Sequence, residues 1–280
     1  MMKQDRNSSG ESPKIETVRT ASCAMNYFRF GTGEKTLVIL PGLSVQSVMG
    51  SAGAVAEAYR LLAKHYTIYL FDRRSELPEA YSAREMARDT YDALRTLGIG
   101  KACVFGVSQG GMIALQLAID YPELVEKLLL GSVAARMTAA RRAVVDEWVR
   151  PAKRGDAEAL YLAFGKALYP ETVFARSREL LLAAAKTVTQ EELDRFVLLA
   201  EAMRDFDVTD ALERIACPVL VLGSKDDRVL GAEAAEEIAA RLRGRSDFET
   251  YLYDGYGHAA YDLAPDYKER LLRFLSKKTD

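Results

Sequence analysis

Residues 102–118 read ACVFGVSQGGMIALQLA. The first six form a short apolar run of the kind that makes a strand buried on both faces. From residue 110 onward the pattern is helical. A single serine stands at the junction, in Gly106-Val107-Ser108-Gln109-Gly110. Glycines at these positions let the backbone fold back tightly. The Ser108 Oγ is then exposed at the carboxyl end of the strand, and the Gln109 N–H points to the same place from a helix N-terminus. The same residues would also suit plain packing, with glycine for close approach and serine as a helix cap. The difference rests on whether the chain supplies a base and an acid for that hydroxyl.

Working outward, seven further segments read as strands: 14–20, 25–31, 36–40, 66–72, 124–131, 218–223 and 248–253. The first two alternate with polar residues, and most of the rest are short apolar runs between helical patterns. Ser82 with Glu85 forms a capping box, and Gly98 ends that helix. A helix is expected over 110–120 and another over 232–242, stopping at Gly244; Pro265 sits where the last helix begins. This alternation predicts an α/β fold, a mostly parallel, doubly wound sheet with helices on both faces. The rhythm breaks over 134–210, which is helical throughout and carries a second capping box, Thr189 with Glu192. The expected organisation is a disordered leader over 1–13, a core formed by 14–133 and 211–280, and an inserted helical cap over 134–210.

Composition narrows the function. The 280 residues are 49% hydrophobic and 28% charged, enough for one large globular core. A net charge of −2 argues against a nucleic-acid surface and does not favour a strongly anionic ligand. Cys23, Cys103 and Cys217 are an odd number, scattered in apolar runs, which suits a reducing compartment, the cytoplasm. The first residues contain no apolar stretch of the signal-peptide type. Residues 36–56 are uncharged, yet Pro41, Gly42, Gly50, Gly53 and several serines break them, so a buried strand feeding a loop is expected rather than a membrane helix. Two distant histidines and scattered cysteines offer no metal-ligand spacing. No phosphate-binding or dinucleotide fingerprint stands at a strand–helix turn. Neither metal nor cofactor is expected.

A serine becomes nucleophilic when a base removes its proton and donors stabilise the oxyanion formed on attack. Only His65 and His258 can be a histidine base. His65 precedes the 66–72 strand, at the amino end of a parallel strand, and reads as structural, because sites in such sheets gather at carboxyl ends. His258 follows the last strand in Asp-Gly-Tyr-Gly-His-Ala-Ala-Tyr, a glycine-punctuated loop. The 218–223 strand runs into Ser-Lys-Asp-Asp-Arg, so Asp226 or Asp227 could accept the imidazole Nδ1–H and stabilise the imidazolium. Either could equally be a turn residue.

Taken in chain order, Ser108, an aspartate at 226 or 227 and His258 resemble the catalytic triad of the α/β-hydrolase family of serine hydrolases. The resemblance runs from about residue 14 to the end, with the cap matched only in kind. It implies an eight-stranded sheet, the nucleophile elbow at Ser108 and no cofactor. In the family the acid follows the glycine as Gly-x-x-Asp, which selects Asp226 after Gly223. Leu40-Pro-Gly-Leu43 is similar to the family's oxyanion loop, implying backbone N–H donors at Leu43 and Gln109. The family commonly has His-Gly where this chain has Pro41-Gly42. Phe71-Asp72-Arg73-Arg74 resembles a segment that is usually structural in the family, and no chemistry is assigned to it.

The expected activity is hydrolysis of a small acyl substrate, such as a carboxylic ester, thioester, lactone or carbon–carbon bond beside a carbonyl, through an acyl-enzyme. The same triad would serve an acyltransferase or a cofactor-free peroxidase-type enzyme, and the fold alone would serve a ligand receptor. A small molecule is the expected partner, with neither nucleic acid nor membrane. In the cap, Arg136, Arg141, Arg142, Arg150, Lys153 and Arg154 oppose Asp146 and Glu147 and read as a solvated helix face, with an acidic substrate as the alternative. Trp148, Tyr161, Phe164, Tyr169 and Phe174 recur near helical spacing, either packing the cap onto the core or roofing an apolar pocket.

Overall fold

A computed structural model describes residues 12–278. Most of the expected leader, residues 1–11, lies outside the described residues. Eight strands form one sheet: β1 (Ile15–Arg19), β2 (Ala24–Phe30), β3 (Lys35–Leu40), β4 (Tyr66–Arg74), β5 (Ala102–Val107), β6 (Val125–Gly131), β7 (Val219–Ser224) and β8 (Phe248–Tyr253). Their order across the sheet is β1-β2-β4-β3-β5-β6-β7-β8. The pairings of β1 with β2 and of β2 with β4 are antiparallel, and every other pairing is parallel. The strand order reverses between β3 and β5, which lie side by side with Leu40 opposite Gly106. In open α/β sheets such a switch point opens a crevice at the carboxyl ends.

The apolar runs become strands because each has a second buried face to fill. In β5 all six residues are buried. Cys103, Phe105 and Val107 point into one layer, while Ala102 and Val104 point into the other, as the period of two requires. The helices α1 (Ala52–Ala58) and α2 (Arg60–Ala63) contribute Ala52 and Leu62 to the first layer, and Tyr59 joins them from the junction between the two. The second holds α3 (Ala83–Thr96) and α4 (Gln109–Asp120), and every residue of α4 except Asp120 is buried. The Ser82–Glu85 capping box starts α3, and Gly98, at φ +74°, follows its end.

Between β6 and β7 the chain inserts four helices, α5 (Ala139–Lys153), α6 (Ala157–Leu168), α7 (Glu171–Ala185) and α8 (Gln190–Glu201), the last opened by the expected Thr189–Glu192 box. They cap the carboxyl ends of the central strands. Then α9 (Glu233–Leu242) joins the layer of α3 and α4, and α10 (Ala260–Leu263) and α11 (Tyr267–Leu275) join that of α1 and α2. Pro265 falls between α10 and α11, two residues before the last helix begins. No helix among the described residues is long and apolar enough to cross a membrane.

One expectation for the cap needs correction. Arg141 is 2% exposed and belongs to no solvated face. Its Nε donates to the Leu230 carbonyl at 2.6 Å and its Nη1 to Arg136 O and Glu237. Leu230 and Glu237 lie far away in sequence, so a charge run along α5 could not reveal them. The other five basic residues of that run remain exposed or partly exposed.

Close packing at the switch point depends on glycine. A Cβ at Gly110 would lie 2.0 Å from the Leu40 carbonyl oxygen, and one at Gly106 would lie 2.3 Å from the Gly110 oxygen. Gly110→Ala should therefore cost on the order of 3 kcal/mol or more in urea unfolding, while Gly100→Ala stays within about 0.5 kcal/mol, since nothing lies within 4 Å of a Cβ at residue 100.

Candidate active site

Ser108 follows β5 with φ +52° and ψ −120°, a conformation that costs a non-glycine residue energy and clusters at functional sites. The surrounding backbone over-determines it. The Ser108 N–H donates to Gly131 O at 2.9 Å, and the Ser108 carbonyl accepts from the N–H groups of Gly111 and Met112. The hydroxyl makes no capping hydrogen bond to α4. The plain-packing reading of this serine therefore loses its capping role.

Beside it lies the loop after β3. A Cβ at Gly42 would sit 3.3 Å from Ser108 Cβ and 3.8 Å from its Oγ, so glycine leaves open the space next to the hydroxyl. Gly42 and Leu43 line the same pocket as Ser108. Gln109 is the first residue of α4, where backbone N–H groups have no intrahelical acceptor. The two expected donor residues thus flank the serine.

His258 follows β8 and is 2% exposed. It reaches the Ser108 pocket, whereas His65 is exposed at the amino end of β4. The acid facing the imidazole is Asp227 and not Asp226. Asp227 Oδ2 lies 2.8 Å from His258 Nδ1, and its Oδ1 accepts from the Val229 and Leu230 N–H groups at 2.8 and 3.0 Å. Asp226 points elsewhere, accepting from Ser224 Oγ and from the N–H groups of Gly255 and Gly257. The turn after β7 sends adjacent side chains in different directions, so counting from Gly223 chose the wrong neighbour. Asp226 instead braces the loop that carries His258.

Burial alone would raise the Asp227 carboxyl. The facing imidazole, its hydrogen bond and the Leu230 and Val229 N–H groups outweigh burial and hold it below the ordinary value of 3.8. An ionised carboxylate only accepts, so a proton on Nδ1 faces it, and in the neutral ring that leaves the lone pair on Nε2. This is the tautomer that a general base requires.

Two further residues shape the site and escaped the sequence reading. Ser132, at φ +46°, donates its hydroxyl to the His258 carbonyl at 2.7 Å. Nothing in a lone serine after a strand signals that contact. Tyr261 stands nearly perpendicular to the His258 ring at 6.5 Å between centroids and joins the pocket wall. The pocket has free space of only about 20 Å³ and is mostly apolar, with Met112, Met137, Trp148, Phe164, Met203 and Leu230 around the Ser108 and His258 side chains. Trp148 packs edge-on to Phe164 at 4.7 Å, so these members of the aromatic stripe both pack the cap and wall the pocket. An adjoining cleft of about 860 Å³ lies between the loop after β3 and the cap helices α6 and α7, and shares Gly42, Leu43, Phe164, Leu168 and Tyr261 with the pocket.

A family model described as "Alpha/beta hydrolase family" matches residues 37–270. Among curated proteins, the chain is 29% identical over 240 residues to "Putative carbamate hydrolase RutD" of Caulobacter vibrioides, covering 82% of this chain and 88% of that one. Among solved structures it is similar to MGS-M2, an alpha/beta hydrolase enzyme from a Medee basin deep-sea metagenome library. There the TM-score is 0.83 at 23% identity, over 95% of this chain and 98% of that one. The enol-lactonase from Burkholderia xenovorans LB400 superimposes with a TM-score of 0.80 at 18% identity, over 94% and 100%. At these identities the two structures speak for the fold alone.

The depressed Asp227 value fixes a pH dependence. Its stabilising contribution is fully present above the unfolded-state value of about 3.9 and is lost as pH falls through the lower folded-state value. Asp227→Asn should be less stable than the wild type at neutral pH, and the gap should close only below about pH 4. Chemical unfolding from pH 7 to 3 reads this directly.

Proposed function

The chain belongs to the alpha/beta hydrolase family, and we propose that it is a serine hydrolase that cleaves small acyl substrates through an acyl-enzyme. The observation that carries this reading is the buried pair of Asp227 and His258 in the pocket of a strained serine whose hydroxyl is not spent on its helix. A binding protein has no physical need for that expenditure of backbone strain and buried charge.

In the proposed reaction His258 Nε2 takes the Ser108 hydroxyl proton as Oγ attacks the acyl carbon. The carbonyl oxygen becomes an oxyanion held by the N–H groups of Leu43 and Gln109. Collapse expels the leaving group, which takes the proton from the imidazolium, while Asp227 keeps the ring oriented and stabilises its charge. Water, deprotonated by the same nitrogen, then attacks the acyl-serine, and the imidazolium returns its proton to Ser108 Oγ as the acid is released.

The apolar pocket suits the uncharged part of an ester, thioester or lactone. Because the Caulobacter relative is named for carbamate hydrolysis, a carbamate belongs among the substrates assayed. The three cysteines are free thiols, which suits a reducing compartment, and the cytoplasm is the location we propose.

Hydrolysis of p-nitrophenyl acetate by purified variants tests the reading. Ser108→Ala and His258→Ala should lose essentially all activity above background while keeping the wild-type circular dichroism. Asp227→Asn should drop kcat by about 10³- to 10⁴-fold through the wrong imidazole tautomer, and Asp226→Asn by less than about tenfold, since it only braces the loop. Full activity in folded Ser108→Ala would sink the proposal. A severe Asp226→Asn beside a mild Asp227→Asn would reassign the acid.

A further inference from the structure

Arg73, near the end of β4, is 6% exposed, and no carboxylate pairs with its guanidinium among the described residues. Its Nη2 donates to the Pro41 carbonyl at 2.6 Å and to the Gln109 side-chain oxygen at 3.3 Å, and its Nε has no partner. A buried cation served by two neutral acceptors is a poor way to stabilise a fold. The acceptors belong, however, to the two segments that carry the oxyanion donors. Pro41 stands two residues before Leu43, and Gln109 is itself the second donor residue. The Gln109 amide also reaches the other way, its Nε2 donating to the Leu199 carbonyl in α8 at 2.6 Å. The same cap helix grips the end of β4, with Arg195 donating to the carbonyls of Arg73, Arg74 and Ser75.

We infer that Arg73 is a positioning residue: together with the Gln109 side chain it forms a bridge that fixes the spacing of the Leu43 and Gln109 N–H groups and ties that spacing to the seating of α8. The inference rests on the proposed acyl-enzyme chemistry. Loosening the loop after β3 against the first turn of α4 leaves substrate binding nearly intact. It weakens contacts that matter most when negative charge develops on the oxygen, so the loss falls on kcat and not on KM. Because both side chains serve one bridge, their losses do not multiply.

The test follows p-nitrophenyl acetate hydrolysis, with each preparation normalised to the fraction of Ser108 phosphonylated at completion by a fluorophosphonate, so that inactive protein does not count. Arg73→Met should lose about 10- to 100-fold in kcat per labelled site with KM within about threefold. Arg73→Lys, which keeps the charge but not the fork, should lose about three- to tenfold. Gln109→Ala, which retains its backbone N–H, should lose about tenfold, and the double variant Arg73→Met/Gln109→Ala should fall no more than about threefold below the worse single. If Arg73→Met does not fold, Arg73→Lys, Gln109→Ala and their combination carry the same comparison. Values of kcat per labelled site within twofold of wild type, or losses that multiply in the double variant, overturn the bridge. A folded wild type that is neither labelled nor active overturns the hydrolase reading itself, and the inference with it.

Discussion

The approach of β3 to the first turn of α4, at a distance where a Cβ on Gly110 would stand 2.0 Å from the Leu40 carbonyl oxygen, governs the rest of the site. It brings the loop after β3 against the serine turn and requires the chain to leave β5 through a left-handed residue. That residue is Ser108, whose strained backbone is held by hydrogen bonds to the end of β6 and to the start of α4. Strain of this kind costs roughly 1–3 kcal/mol, and the burial of nearly all of α4 and β5 around it offsets the cost. The position of the hydroxyl is thus a property of the sheet's centre and not of a flexible loop.

Around that fixed point the parallel strands deliver everything else from the same edge. Loops after β3, β5, β7 and β8 carry Leu43, Ser108, Asp227 and His258, and the turn after β6 contributes the Ser132 hydroxyl that holds the His258 backbone. Asp227 is buried with all its contacts satisfied by N–H donors, which makes it a rigid, ionised partner for the imidazole. The cap then closes an apolar wall over the pair. The narrow inner pocket and the much larger adjoining cleft share that wall.

The sheet was legible because every strand had to read as an apolar run or an alternating one, and boundaries moved by only one or two residues. Ser108 and His258 stood out in the sequence for different reasons: one sits in a motif whose glycines have steric work to do, the other is nearly alone of its kind. The choice between Asp226 and Asp227 was not. Two adjacent carboxylates in one turn differ only in which way the backbone aims them, and spacing from a glycine does not encode that direction. The burial of Arg141 and the contacts of Arg73 were hidden for a related reason, since their acceptors are backbone carbonyls and side chains from distant segments. Composition reads such residues as surface charge. Only the fold shows which cations are kept inside.

The proposed chemistry turns on a Ser108 hydroxyl that is an activated nucleophile facing two backbone donors. A crystal structure of the protein phosphonylated by a small fluorophosphonate examines it most directly. The expected result is phosphorus bonded to Ser108 Oγ, with its free oxygen about 2.7–3.1 Å from both the Leu43 and the Gln109 nitrogens. A phosphonyl oxygen turned away from those nitrogens, or an adduct on another residue with Ser108 untouched, would contradict it.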